Sequence, residues 1–388
     1  MIRSTDRIMT MHAGTLPRPQ DMRERVMAKS RGEQVDEGQL TADIRRVIKE
    51  NVGLQLETGI DSINDGELSK SSFSNYLRER LGGIEIRPAD DNTPRMGAIG
   101  GRDLIYFPEY FQAGRYRAGA ATGQNRADQT VCVGPITYVG HEDVQADINN
   151  FNAGLEGATY PEAFLPAITP GTVEHWLKNE YYSTAEEFLY AIGDALAIEY
   201  KAIVDAGFLL QIDDPDLPDA WQIHPEMDVP QYRKFAQLRV EALNHALRDI
   251  PEESIRFHTC WGSYHGPHMF DIDLADIADI ILNVKAAGYS IEASNPRHDH
   301  EWVVWKDIDW PDGKVLIPGV IGHASDFIEH PQLVAQRLVR YANIVGKENV
   351  MAGTDCGIGS RVGHASVCWA KFKAMSDGAA IATKELWG

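Results

Sequence analysis

The run Phe257-His258-Thr259-Cys260-Trp261-Gly262 holds the side chains best suited to chemistry in this sequence. If it is a strand, the alternation of side chains puts His258 and Cys260 on one face, so one strand offers two ligands to a metal ion. Further along stand Glu292, in Ser290-Ile291-Glu292, and Cys356, in Thr354-Asp355-Cys356-Gly357. One imidazole, two thiols and one carboxylate make the N/S/O set that a borderline-soft ion such as Zn2+ accepts tetrahedrally. Each residue also has a plainer reading. A buried Cys commonly behaves as a small apolar residue. Glu292 could cap the Ser-Asn-Pro turn that follows it, and Gly357-Ile358-Gly359 could be a tight turn or a weak phosphate loop.

Positioning such a set requires a scaffold of strands. Eight apolar runs read as strands: Met9 to Leu16, Ile60 to Asp65, Thr130 to Tyr138, Phe208 to Asp214, the His258 run, Tyr289 to Ala293, Lys314 to Ile321 and Val350 to Asp355. Helical patterns separate them. Ser183-Thr-Ala-Glu186 is a capping box opening a helix that reaches Ala206, and the stripe Leu274, Ile277, Ile280, Ile281, Val284 marks another. Gly59, Gly207 and Gly288 stand where helices end before strands. The alternation predicts an α/β fold, a (β/α)8 TIM barrel with inserted loops after strands 2 and 3. Residues 1–388 are expected to form one catalytic barrel, with 82–128 as an insertion or lid, and Phe107 to Phe111 as its cover or its anchor. A doubly wound open sheet is the alternative. The barrel is preferred because Thr15, Asp65, Glu67, Asp213, Asp214, His258, Cys260, Glu292, His323 and Cys356 all fall at predicted C-terminal strand ends, where barrels build active sites.

Composition narrows the partners. The chain is 43% hydrophobic and 24% charged, as in ordinary globular proteins. Its formal net charge of −20 repels nucleic acid and anionic lipid, and no apolar run is long enough to span a bilayer. Four scattered cysteines and a start without a secretory layout point to a reducing, cytoplasmic setting with free thiols. The expected partners are small molecules, with assembly into a homo-oligomer left open.

The order His-x-Cys, then Ser-Ile-Glu, then Asp-Cys-Gly resembles the catalytic barrel of the cobalamin-independent methionine synthases. Ala13-Gly14-Thr15-Leu16-Pro17 is similar to that family's amino-acid-binding turn, Gly66-Glu67 to its His-Gly-Glu, Val133-Gly134-Pro135-Ile136-Thr137 to its Thr-Gly-Pro-Val-Thr, and Gln211-Ile212-Asp213-Asp214-Pro215 to its Gln-Ile-Asp-Glu-Pro. The segment from Gly319 through His323 resembles the one carrying its catalytic histidine. The resemblance implies Zn2+ on His258, Cys260, Glu292 and Cys356 and His323 as the proton-handling residue; two thiolates and one carboxylate leave such a zinc site net −1, so Glu292 is expected to be the ligand that yields when a substrate thiolate enters. It implies Thr15, Glu67 and Asp213 as substrate-binding residues, the two acids holding an amino group. Thr15 replaces a serine, Asp65 a histidine and Asp214 a glutamate of the family pattern, and the duplicate N-terminal barrel of the full-length enzymes has no counterpart.

The implied activity is a zinc-dependent methyl or alkyl transfer to a thiol such as homocysteine, from methylfolate, a methylcorrinoid or an epoxide. In the related epoxyalkane:coenzyme M transferases a thiol opens an epoxide, and a basic residue such as Arg18 or Arg361 would then hold the sulfonate. A noncatalytic or hydrolytic barrel with structural Cys and His is the remaining alternative. His298-Asp299-His300-Glu301 reads as a second metal site, as support for the ligands, or as a solvated loop. Trp261, Tyr264, His265 and His268 read as pocket-shaping residues or loop packing.

Overall fold

Eight parallel strands make a closed wall in the computed structural model, which describes residues 1–73, 75–88, 101–113, 128–263, 265–359 and 361–388. In chain order the strands of the described residues are β1 Met9–Thr10, β2 Ser62–Ile63, β3 Leu81–Arg87, β4 Gln129–Tyr138, β5 Glu162–Ile168, β6 Leu177–Asn179, β7 Leu209–Asp213, β8 Ile255–Thr259, β9 Gly288–Ile291, β10 Val315–Ile321 and β11 Met351–Thr354. The wall runs β1-β11-β10-β9-β8-β7-β5-β2, and a parallel bridge from Met11 to Ser62 joins its ends.

Parallel neighbours need crossover connections, and helices supply most of them. They are Glu37–Glu57 before β2, His141–Leu155 before β5, Ala185–Asp205 before β7, Val229–Ala246 before β8, Leu274–Leu282 before β9, Pro331–Val345 before β11 and Ala365–Trp387 after it. The β9 to β10 crossover carries a short 3-10 turn, Glu301–Lys306, instead. The fold is therefore the α/β (β/α)8 barrel that the alternating pattern predicts.

Local chemistry explains the elements. All seven residues of β10 are buried, the reading of a strand covered on both faces. Helix Ala185–Asp205 turns Phe188, Leu189, Ile192, Leu196 and Ile203 inward. Burying each such side chain contributes about 1.5–3 kcal/mol. Its cap is displaced by one residue from the predicted box: Thr184 Oγ1 accepts from the Glu187 amide at 3.1 Å, and Glu187 accepts from the Ser183 amide at 3.1 Å. Inside the barrel, Arg256 of β8 is fully buried, donating to Gln211 Oε1 at 2.9 Å and Ser62 Oγ at 3.1 Å. Glu162, 3.4 Å away, balances its charge. That ties β8 to its neighbours two residues before His258.

One expected strand is corrected. Thr130 to Tyr138 lies within β4, which pairs antiparallel with β3 and parallel with β6 in a separate three-stranded sheet. The third barrel strand is β5, inside the tract expected to be a second insertion, and β5 pairs with β2 and β7. A β-branched run satisfies any sheet, so its composition could not say which. Beyond β2 the insertion therefore extends past residue 128, to helix His141–Leu155. Its described helices, Gly101–Tyr106 and Pro108–Gln112, dock on the segments that follow β7 and β8 at the barrel mouth. The Arg102 guanidinium lies over the Trp221 ring at 3.5 Å and donates to the carbonyls of Trp221, His224 and Met227. Tyr264 and much of 82–128 lie outside the described residues.

Candidate metal and thiol site at the strand ends

β8 delivers both halves of the opening pair. His258 and Cys260 are buried, and Cys356, which follows β11, joins them: the three ligand atoms lie within 4.8 Å of one another. The two sulfurs are 3.6 Å apart. Two thiolates on one tetrahedral zinc, each bonded at about 2.3 Å, would be about 3.8 Å apart. His258 Nδ1 is taken by Ser290 Oγ at 3.0 Å, which leaves Nε2 buried and without a partner. An orphaned imidazole nitrogen beside two convergent thiols is what a soft cation site requires, so the residues fit a zinc ion.

The protons of this trio are already redistributed. The hydrogen bond from Cys260 holds the Cys356 thiol well below its ordinary value, with His258 reinforcing it against burial. The same bond, with burial, pushes Cys260 well above. The bond between them thus splits the two thiols, favouring the ionised form at Cys356 and the protonated form at Cys260. His258 is raised: burial disfavours its charged form, but the adjacent Cys356 sulfur and the nearby Asp213 outweigh that.

Glu292 is placed next to this trio, in a second one with His323 and Asp355. Its carboxylate accepts from the Trp261 amide at 2.8 Å and from Asn295 Nδ2 at 3.0 Å. Both ring nitrogens of His323 are buried without a hydrogen-bond partner. Asp355 accepts from the Ala293 amide at 2.9 Å, the Ser294 amide at 2.8 Å and Ser294 Oγ at 2.5 Å. Burial first, then Glu292, lift its pKa to about 6.

The substrate-binding candidates flank this trio: Thr15 and Glu67 follow β1 and β2, and Asp213 on β7 is in register with His258. Thr15 Oγ1 donates to Glu67 Oε1 at 2.9 Å, and the Glu67 amide donates to Asp65 Oδ1 at 3.0 Å. Glu67 has φ 57, a left-handed backbone that a non-glycine residue holds at a cost of about 1–3 kcal/mol, a kind of strain that clusters at functional sites. A Cβ on Gly14 would sit 2.6 Å from Glu67 Oε1, so this approach requires a glycine. Asp213, at the end of β7, accepts from Gln211 Nε2 at 2.8 Å. Burial, with the Glu67 charge adding to it, pushes its pKa to about 7. Asp65 and Asp214 are pushed to about 7 as well, both chiefly by burial.

Sequence reading passed over Trp176 and Asp219. Trp176 Nε1 and Asp219 Oδ1 are buried atoms without hydrogen-bond partners. Asp219 faces Gly262, two residues after Cys260, where a Cβ would approach its carboxylate to 2.9 Å. The available signal was the acid-rich run Asp213-Asp214-Pro215-Asp216-Leu217-Pro218-Asp219. A small half-open pocket of about 30 Å3 between the small sheet and the barrel is lined by Arg78, Thr130, Ile168, Thr172 and Trp176. Thr172 Oγ1 also contacts Asp214 Oδ1 at 3.2 Å, one residue from Asp213. Phe107 to Phe111 sits at the barrel mouth, where Tyr110 donates to the His265 carbonyl at 2.6 Å. No helix among the described residues is long and apolar enough to cross a membrane.

Comparison with known proteins follows the same lines. The family described as "Cobalamin-independent synthase, Catalytic domain" matches residues 166–380. A methionine synthase of Sulfolobus acidocaldarius is 22% identical over 349 residues, covering 89% of this chain and 84% of that protein. One from Thermococcus kodakarensis is 22% identical over 332 residues, 84% of this chain and 80% of that one. Among solved structures, a B12-independent methionine synthase from Shewanella sp. W3-18-1, in complex with selenomethionine, superposes with a TM-score of 0.71 at 20% identity over 98% of this chain and 99% of that one. A methyltransferase from Methanosarcina mazei does so with a TM-score of 0.52 at 15% identity, covering 99% and 95%.

Proposed function

The chain belongs to the family of cobalamin-independent synthase catalytic domains, and on that premise we propose that it transfers a methyl group to the sulfur of a small amino-thiol of the homocysteine kind. The observation that carries this reading is the meeting, at one barrel mouth, of the His258, Cys260, Cys356 trio with an acid pair, Glu67 and Asp213. When bound by His258, Cys260 and Cys356, with Glu292 as an exchangeable fourth ligand, Zn2+ supplies a Lewis acid that makes a thiol ionise at neutral pH.

Glu67 and Asp213 hold the substrate's ammonium group, which supplies the positive charge that returns Asp213 to its ionised form. Thr15 fixes the Glu67 carboxylate. The thiol gives up its proton to solvent, its sulfur attacks the methyl carbon, the sulfur–carbon bond forms, and the bond from methyl to donor breaks. His323 gives a proton to the departing donor, a general-acid contribution worth about 10²- to 10⁴-fold.

We place the donor against the small sheet, beside the pocket lined by Thr130 and Trp176. The unpartnered Trp176 N–H and Thr130 hydroxyl, with Arg78 on its wall, suit a planar polar molecule of the folate kind better than a short epoxide. The epoxide and coenzyme M reading needs a cation for the sulfonate. Arg18 instead donates to the carbonyls of Leu68 and Lys70, each at 2.9 Å, and Arg361 donates to that of Ser263 at 3.2 Å. The test is a donor screen with methylfolate, a methylcorrinoid and short epoxides against homocysteine and coenzyme M, read as thiol consumption. Methionine formation from homocysteine supports the reading. Turnover confined to epoxide and coenzyme M overturns it.

A further inference from the structure

A buried polar chain that the transfer chemistry does not use runs directly behind the site. At its centre is His298, in the turn after β9 and 2% exposed. Its Nδ1 lies 2.7 Å from Glu301 Oε2, and its Nε2 lies 3.0 Å from Asp271 Oδ2. Two carboxylates on the two ring nitrogens are both satisfied only when both nitrogens carry protons. Burial opposes that charge, but the hydrogen bonds to Asp271 and Glu301 overcome it and raise the pKa to about 10. Asp271 is itself held by His268 Nδ1 and Gln222 Nε2, each at 2.8 Å, and the second oxygen of Glu301 accepts from the Leu274 amide at 2.7 Å.

The face of this ring lies on Trp261, with centroids 4.0 Å apart and planes at 22°. A cationic ring over an indole face is attracted to it electrostatically. Trp261, 1% exposed, has its indole N–H tied to the Ile272 carbonyl at 2.7 Å, and its backbone N–H is the group that holds Glu292 Oε2. A single residue, the one that follows Cys260, therefore separates His298 from the carboxylate proposed to exchange at the metal.

We propose that His298 is a positioning residue for the thiol site, setting the placement of Cys260 and of the Glu292 carboxylate through its stack on Trp261. The proposal rests on the metal reading given above. Glu292 is held by two donors, the Trp261 amide and Asn295, and so has a defined resting place. Loosening the indole loosens that place without touching a ligand.

Co2+ uptake by the metal-stripped chain is the test, because its visible and thiolate charge-transfer bands report coordination apart from turnover. His298→Gln keeps a polar side chain but cannot bridge both acids with a stacked ring. The expected result is a changed Co2+ spectrum, affinity lower by about 10- to 100-fold, and kcat lowered with little change in KM for the thiol. Trp261→Phe keeps the backbone amide and a smaller ring, so it should shift the spectrum in the same direction by less, and it carries the test if His298→Gln does not fold. Folded variants with wild-type spectrum and affinity would overturn this proposal alone. A wild-type chain that binds no Co2+ would overturn the reading of the metal site and this proposal with it.

Discussion

The stretch from β7 to the loop after β11 and the stretch between β2 and β5 belong to one barrel but were built under different constraints. In the first, the connections carry no added sheet, and the strand ends carry His258, Cys260, Glu292, His323 and Cys356. In the second, a three-stranded sheet and two short helices extend the loop after β2 and drape the barrel mouth. The first is written in residue types that chemistry demands. Apart from Glu67 and the pocket residues Arg78 and Thr130, the second is written in apolar runs that only packing demands. On this account, damage to the first should remove chemistry at little cost in folding, and damage to the rest of the second the reverse.

The largest effects belong to the ligand trio. Cys260→Ser and Cys356→Ser are expected to lose bound metal and all measurable transfer while keeping the far-UV circular dichroism of the parent, and chelation should do the same reversibly. Next is His323→Gln, for which kcat should fall about 10²- to 10⁴-fold with metal retained. Single-turnover methyl transfer distinguishes this from impaired binding. Asp213→Asn should raise KM for an amino-thiol about 10- to 100-fold, the scale of a lost charged hydrogen bond of about 1.5–3 kcal/mol. A thiol lacking the amino group should show no such loss, and equal losses for both would remove the ammonium role from Asp213.

On the other side of the comparison, Arg102→Ala removes three carbonyl contacts and the stack on Trp221 that anchor the insertion. Faster proteolysis of the insertion and a lower unfolding midpoint are expected, with kcat/KM for the methyl donor close to that of the parent. A large loss of kcat with normal stability would make the insertion part of the chemistry.

The smallest effect is a pH dependence. Asp214 has a folded pKa of about 7, raised first by burial, against about 3.9 unfolded. A raised folded pKa contributes stability that is fully present below about pH 4 and is lost as pH rises through 7. Asp214→Asn should therefore be more favourable to stability at pH 8 than at pH 5.5, measured by thermal unfolding. The opposite slope would mean that this carboxyl is ionised and stabilising in the fold.

Much of this was legible before the structure. Seven of the eight barrel strands stand at sequence runs that alternate with helices, because a buried parallel strand must be short, apolar and followed by a crossover. His258, Cys260 and Cys356 could be grouped because metal chemistry restricts their types and the barrel restricts their depth. β5 was missed because Glu162-Ala-Phe-Leu-Pro-Ala-Ile168 contains a proline and stands among turn residues, while β4 offered a cleaner β-branched run. The position of Glu292 beside His323 and Asp355 was not legible, since it depends on the Trp261 amide, and backbone donors leave no mark in a sequence. Trp176 gave no signal and Asp219 only its acid-rich run, because an unpartnered buried atom exists only once the chain is folded.

Metal content tests the central claim most directly. Elemental analysis of the purified chain, alongside Cys260→Ser and Cys356→Ser, should find about one zinc per wild-type chain and essentially none in either variant, with Cys260 and Cys356 protected from thiol reagents only when metal is bound. A wild-type chain that carries no metal after purification with zinc present, titrates both thiols freely and still methylates homocysteine would contradict the account.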